Sequence, residues 1–588
     1  MATQKKVDVV TVGAGWTASM LAWKFTEAGM NVVSIEQGPG RWSNPGFAHN
    51  HDALRYHARH AMMVNLRKET WTWRPTPDVP SLPMRQYGSF NPGQGLGGAA
   101  VHWTAQLWRF APDDFRVRSH LIERYGEAKL PEGNRIQDWP VSFDDLEPHY
   151  DAFEQDIGAS GQAGNLRGDL IEGGNPFEGP RSNPYPNPPM AHNVPAQMFR
   201  DVTQEMGYHP FPYPSGIASR AFVDRFGNAR AACIYCGFCT RYGCEVDAKS
   251  SPLTTHLPVA LRTGRYDVRT RSRVLRVELD GSGHATGLTY VDEDGVEQFQ
   301  PADIVVLSGF TLTNVRMMLL SRNDAHPDGI GNDRGLVGKN YTYQHFTGPW
   351  RGYFPGRRFH LYMGNGVVMN AIYDFYGDNF DHSDLDFVGG AQIFSSPGER
   401  DPETSAGNFP IGDDAKTWGQ EWKDSLRDQW NSYLDINMEA ESLPYEDQFL
   451  DLDPNYTASD GQPLLRLTFD WHDNDTNMWR FIAQRCTEIL EAMGPEVAET
   501  PTDLDPYTIH AYQSTHPTGG AIMGTDPSNS VTNSFGQVWD TPNLFVTGAA
   551  LFPQNPAANP TGTVAALAYR TGDAIVQRYL KDQRALLG

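Results

Sequence analysis

Val7-Asp8-Val9-Val10-Thr11-Val12-Gly13-Ala14-Gly15-Trp16-Thr17-Ala18 stands near the start of the chain, and Asn31-Val32-Val33-Ser34-Ile35-Glu36 follows one helix length later. The apolar, β-branched run before Gly13 reads as a buried strand, Gly13 as the tight turn that ends it, and Gly15 as a point of close backbone approach to a pyrophosphate. The helix that begins at Trp16 and Thr17 turns its N-terminal amides toward that anion. Ala18 stands where a third glycine is common, a position that asks only for close packing of helix on strand. Glu36 ends the second strand, where a carboxylate reaches the hydroxyls of an adenosine ribose. A bare glycine turn is the bland alternative, but strand, turn, helix, strand and acid in this order indicate a Rossmann-like dinucleotide unit.

A second glycine-rich segment, Gly88-Ser89-Phe90-Asn91-Pro92-Gly93-Gln94-Gly95-Leu96-Gly97-Gly98, cannot be a regular element and reads as a loop whose backbone comes close to something. Near the C-terminus, His516-Pro517-Thr518-Gly519-Gly520 and Asn559-Pro560-Thr561-Gly562-Thr563 set a His and an Asn on separate glycine-containing turns. Beside a dinucleotide site this pair suits alcohol oxidation: His516 accepts the hydroxyl proton and Asn559 helps hold the carbinol, so that hydride can leave toward a flavin. A histidine titrating near neutrality is a natural acceptor of that proton. Asn559 has a second reading as the cap of the last helix, since Asn before Pro-Thr is a helix-start signal.

The chain has 588 residues, more than one core accommodates, and is expected to form two large, closely packed units. Its 57 Gly and 42 Pro imply much ordered loop, and a net charge of -23 argues against nucleic acid and against an anionic membrane face. No apolar run approaches the roughly 20 residues of a membrane helix, and Met1-Ala2-Thr3-Gln4-Lys5-Lys6 enters the first strand without a signal peptide's apolar core, so membrane association is expected through a partner. Arg269 to Val291 alternates like a β-meander, Asp303 to Leu307 reads as a short buried strand, Leu544 to Thr547 as another, and a final helix is expected over about 561–580. The nucleotide unit is expected to span 1–115, 216–344 and 506–588. A discontinuous substrate domain, 116–215 and 345–505, would sit beside it, with the cavity between them.

Of the five cysteines, Cys233, Cys236, Cys239 and Cys244 crowd into twelve residues. Disulfide frameworks spread along a chain, so the cluster reads as a metal site. Iron-sulfur ligation uses thiolates packed this tightly, whereas four-cysteine zinc sites usually set two pairs on separated knuckles. The spacing after Cys239 is longer than in bacterial ferredoxins and no Pro follows Cys244, so zinc and structural thiols remain alternatives. Cys486 reads as a core thiol in a helix. The sequence holds no CxxCH motif, so any cytochrome is another polypeptide.

Taken together, the Gly13 to Glu36 unit, Gly97-Gly98-Ala99-Ala100-Val101-His102-Trp103, the cysteine cluster, the His516 block and the run from Asn543 to Arg570 resemble the glucose-methanol-choline (GMC) oxidoreductase family. The likeness spans essentially the whole chain and is strongest to the flavoprotein large subunits of bacterial gluconate and 2-ketogluconate dehydrogenases. It implies an α/β fold (α+β overall), with a Rossmann-like FAD-binding domain and a substrate-binding domain containing an antiparallel sheet. It further implies that His516 is the base and Asn559 its partner in place of a second His. Gly97, Gly98, Trp103, Gly548, Ala549 and Thr561 would lie along FAD, and Val274 would bond the adenine through its backbone. His102 followed by Trp103 implies a covalent bond from His102 to the flavin, with a merely structural His102 as the alternative. The family further implies a three-iron, four-sulfur cluster, a sugar or sugar-acid substrate, and a small partner subunit bearing a twin-arginine signal. A cytochrome c subunit and a place on the periplasmic side of the inner membrane complete that picture. The rivals are a glucoside 3-dehydrogenase, a pyranose-oxidase-like enzyme using oxygen, a non-catalytic binding subunit, and a cytoplasmic location.

Overall fold

The computed structural model describes residues 2–587 except 43–45, 48–50, 88, 89, 361, 362, 397, 400, 401, 413–415 and 511–513. Gly88 and Ser89 of the second glycine-rich segment therefore lie outside the described residues. The expected opening unit is present as strand β1 (Val7–Val12), helix α1 (Trp16–Glu27) and strand β2 (Val32–Ile35). Strands β3 (Tyr266–Arg269), β4 (Arg273–Leu279), β5 (Ala285–Val291) and β6 (Glu297–Leu307) join them in the order β3-β2-β1-β6-β5-β4, and Leu544–Val546 also pairs with β6. Pairing is parallel from β3 through β6 and antiparallel from β6 to β4, so the meander extends one edge of a parallel sheet. The short strand expected at Asp303 is the second half of the 11-residue β6, whose first half belongs to the meander.

The parallel strands are apolar almost throughout because both faces are covered. Val10, Val12, Val305 and Leu307 pack on one side with Leu312 and Val315, while Val9, Val32, Ile304 and Val306 pack on the other with Met20 and Leu21 of α1. A second sheet runs Val497–Glu499, β7 (His345–Tyr353), β10 (Tyr433–Ala440), β9 (Ala391–Ser395), β8 (Asn370–Ile372) and Phe211–Pro212, antiparallel throughout. Leu434, Ile436 and Met438 of β10 pack with Met478, Trp479, Ile482 and Cys486 of the long helix α2 (Asp473–Met493). Period-two alternation then sends Asp435, Asn437 and Glu439 to the opposite face, yet these too are buried. A four-stranded sheet joins Trp71–Arg74 and Leu82–Pro83 to Phe449–Thr457 and Pro463–Thr468, stitching together segments that the sequence reading assigns to different domains. Helix α3 (Thr561–Ala574) closes the chain, continued by one wider turn to Tyr579. Among the described residues no helix is long and apolar enough to cross a membrane.

Candidate active site

A cavity of about 890 Å³ takes its walls from both large sheets, within the size range of cofactor and ligand sites. The nucleotide unit contributes Gly13, Gly15, Trp16, Thr17 and Glu36, and later segments contribute Val274, Gly548, Ala549 and Thr561. Gly97, Gly98, His102 and Trp103 line the same space, as do His516 and Asn559. Ala18 is fully buried in α1 behind this wall, the packing role expected of it.

The local geometry explains the glycines. Gly13 takes φ +89°, and a Cβ there would come within 3.2 Å of the Ser308 carbonyl. Gly15 caps α1 without a side-chain bond, and no atom lies within 4 Å of where its Cβ would be. An uncapped helix N-terminus beside open space fits a pyrophosphate. Glu36 does more than end a strand: its carboxylate accepts the amides of Ala14 (3.2 Å), Gly38 (2.8 Å) and Gly95 (3.0 Å), bracing the fingerprint turn against the second glycine loop.

His102 is buried, with no hydrogen-bond partner for Nε2, and it packs on Gly93, where a Cβ would lie 2.6 Å from that nitrogen. Burial, aided by the Lys249 and Arg241 charges, holds it unprotonated down to about pH 3. An unpartnered, unprotonated ring nitrogen in the wall of a cofactor-sized cavity fits contact with a bound flavin.

His516 is likewise kept neutral, its pKa lowered by burial to about 4. Its Nδ1 meets Oε1 of Gln344. Asn559 does not cap α3: Pro560 holds the cap position without a side-chain bond, and the Asn559 amide turns inward to Glu439. Its Oδ1 meanwhile accepts from Gln392 Nε2 at 3.3 Å. Glu439 also receives Gln392 Nε2 at 2.6 Å, and burial pushes its carboxyl up to about 8. Gln344, Gln392 and Glu439 escaped the sequence reading because nothing local distinguishes them; the alternation along β10 was the one available hint.

The cysteine loop lies against this wall. Arg241 N–H donates to the His102 carbonyl (2.8 Å), and Lys249 Nζ donates to the carbonyls of Trp103 (2.8 Å), Cys239 (2.6 Å) and Tyr242 (2.8 Å). Cys233 Sγ accepts from Tyr235 N–H and the Asn365 amide, both at 3.3 Å. The expected ligand set is nevertheless not assembled: among the described residues no group of three or more His, Cys, Asp or Glu side chains is placed to hold a metal ion. Cys233, Cys239 and Cys244 pack around Ala105, Met190 and Ile217, whereas Cys236 packs against the core beside α1, and burial pushes the thiols of Cys233, Cys236 and Cys239 up.

Comparison with known proteins identifies the family. A family model described as GMC oxidoreductase matches residues 444–568. The chain is 39% identical to the gluconate 2-dehydrogenase flavoprotein of Pantoea cypripedii, over 99% of this chain and 95% of that one. It is 25% identical to the fructose dehydrogenase large subunit of Gluconobacter japonicus, over 97% of each chain. Among solved structures, formate oxidase of Aspergillus oryzae RIB40 shares the fold, with a TM-score of 0.62 at 14% identity over 99% of this chain and 100% of that one. The chain belongs to the GMC oxidoreductase family. It is therefore an FAD-binding oxidoreductase acting on CH–OH groups, with the α/β GMC fold that its resemblance implied.

Proposed function

We propose that this chain is the catalytic flavoprotein of a dehydrogenase that oxidises a hydroxyl of a sugar, sugar acid or polyol and passes electrons to an external acceptor. The observation carrying the reading is that His516 and Asn559 line one cavity with the dinucleotide fingerprint. The cavity also receives Asp435, Asn437 and Glu439 from β10, a polar wall suited to a polyhydroxylated substrate, and the Pantoea relative is named for gluconate. FAD, when bound, supplies the hydride acceptor. The protein's own part is to take the hydroxyl proton at His516, orient the carbinol through Asn559, and exclude bulk water. Anaerobic mixing of the flavin-loaded protein with gluconate, 2-ketogluconate, fructose, a glucoside and a diol tests this through flavin absorbance. Bleaching by at least one of them, with turnover on a dye and not on oxygen, is expected; no bleaching by any would sink the reading, and oxygen turnover at the dye rate would make it an oxidase.

An iron-sulfur centre at Cys233, Cys236, Cys239 and Cys244 is a separate proposal, supported by the donor chemistry alone. A twin-arginine-bearing partner, a cytochrome c subunit and a periplasmic setting are proposals of the same standing; the first is in keeping with a relative named as a large subunit. Co-purification from membranes with and without the neighbouring genes tests them.

A further inference from the structure

The His516 turn is held by an amide whose direction is set elsewhere. Thr342–Tyr343 pairs antiparallel with Pro517–Thr518, Thr342 opposite Thr518 and Tyr343 opposite Pro517. Continued by one residue, the register sets Gln344 opposite His516. Gln344 is fully buried, and its Nε2 donates to the carbonyls of Pro556 at 2.8 Å and Ala558 at 3.3 Å. Carbonyls only accept, so these bonds identify which end of the side-chain amide is nitrogen. Oε1 is therefore the atom that meets His516 Nδ1. That oxygen has no proton to give, so Nδ1 carries the proton and Nε2 keeps the lone pair.

We propose that Gln344 is a positioning residue that selects the Nδ1–H tautomer of His516 and so keeps Nε2 a proton acceptor. The proposal rests on His516 being the base and adds how that base is held ready. With the opposite tautomer, Nε2 would carry a proton and could not take one from an alcohol. The Pro556 and Ala558 carbonyls belong to the segment that leads into Asn559, so one side chain ties the two catalytic turns together. Asn555 adds a second strut, from Nδ2 to the His516 carbonyl at 2.8 Å. Among the described residues, titratable groups near this turn include Tyr343, whose hydroxyl donates to the Ser514 carbonyl and accepts the Ser514 amide, Lys339 and Tyr341 on the segment behind Gly519 and Gly520, and Glu439 behind Asn559.

The two functions of Gln344 separate by substitution. Gln344→Leu removes both the acceptor for Nδ1 and the donor to the carbonyls; an ionised Glu at 344 restores only the acceptor. Flavin reduction is measured anaerobically across pH in flavin-loaded Gln344→Leu, Gln344→Glu and His516→Ala proteins, with flavin content checked. Gln344→Leu should be slower by roughly 10- to 100-fold, the range for partners that orient a metal-ligating histidine, with half-saturation nearly unchanged. Gln344→Glu should recover most of the rate and move the acid limb to higher pH, because a carboxylate beside the ring favours its protonated form. Gln344→Leu at wild-type speed, or Gln344→Glu no faster than Gln344→Leu, overturns the tautomer role. If Gln344→Leu loses its flavin, Gln344→Met supplies the same comparison. His516→Ala at wild-type speed would instead remove the base, and the proposal with it.

Discussion

Asn559 donates Nδ2 to Oε1 of Glu439 at 3.2 Å, and its Oδ1, the atom a helix cap would use, accepts from Gln392 Nε2 at 3.3 Å and not from the first turn of α3, which begins two residues later. The asparagine is thus fixed toward the cavity by a strand of the second sheet, and its helix-capping role is corrected. Asn559→Ala should slow flavin reduction about tenfold, the weight of one hydrogen bond of about 1–1.5 kcal/mol, without loss of folding. A protein that no longer folds would show that the residue's main task is structural.

His516→Ala should cost roughly two to four orders of magnitude in flavin reduction while flavin stays bound. Because its pKa is lowered to about 4, His516 remains an acceptor well below pH 6.5. The acid limb of the reductive half-reaction should therefore fall near pH 4, and a limb at 6.5 would show that the ring is more solvated than the geometry implies.

Glu439 carries the opposite linkage. Its pKa is raised from 4.5 to about 8 by burial, so its contribution to stability is complete below pH 4.5 and is lost as pH rises through 8. Melting temperatures of Glu439→Gln and wild type, compared from pH 5 to 9, should diverge in favour of the Gln variant as pH rises. Parallel curves would mean that the carboxyl is already ionised in the folded state.

His102 should retain the flavin through acid precipitation, with yellow colour in the pellet, and His102→Ala should release it to the supernatant. Free flavin from the unaltered protein would reduce His102 to a structural histidine.

The cysteine loop offers the sharpest division. Anaerobically purified protein should contain iron and acid-labile sulfide in the ratio of a single cluster. Serine at Cys233, Cys239 or Cys244 should spare flavin reduction yet block delivery to ferricyanide. Cys236, between two other cysteines, is the ligand a three-iron cluster could do without and should tolerate the change best. Stoichiometric zinc, or unimpaired delivery after losing Cys239 and Cys244 together, would leave the loop a purely structural element.

The opening fingerprint was legible because its requirements are local: a strand of β-branched residues, a turn whose Gly13 adopts φ +89°, and a helix N-terminus at Gly15 follow from residues within a few positions of one another. His516 and Asn559 were legible for the same reason, each standing on its own glycine-containing turn. The sequence by itself therefore determined a Rossmann-like nucleotide unit, the two glycine-containing turns that carry His516 and Asn559, and the crowding of four cysteines. What surrounds those residues depended on pairings across hundreds of positions. Asp435, Asn437 and Glu439 alternate with apolar neighbours as a solvent-facing strand would, and only the packing of the second sheet over the first turns that polar face into a cavity wall. Gln344 meets His516 because a two-residue antiparallel pairing sets the register between segments 172 positions apart. Backbone conformation is chosen by near neighbours, whereas the direction of a buried amide or carboxyl is chosen by whatever the tertiary fold brings within hydrogen-bond reach.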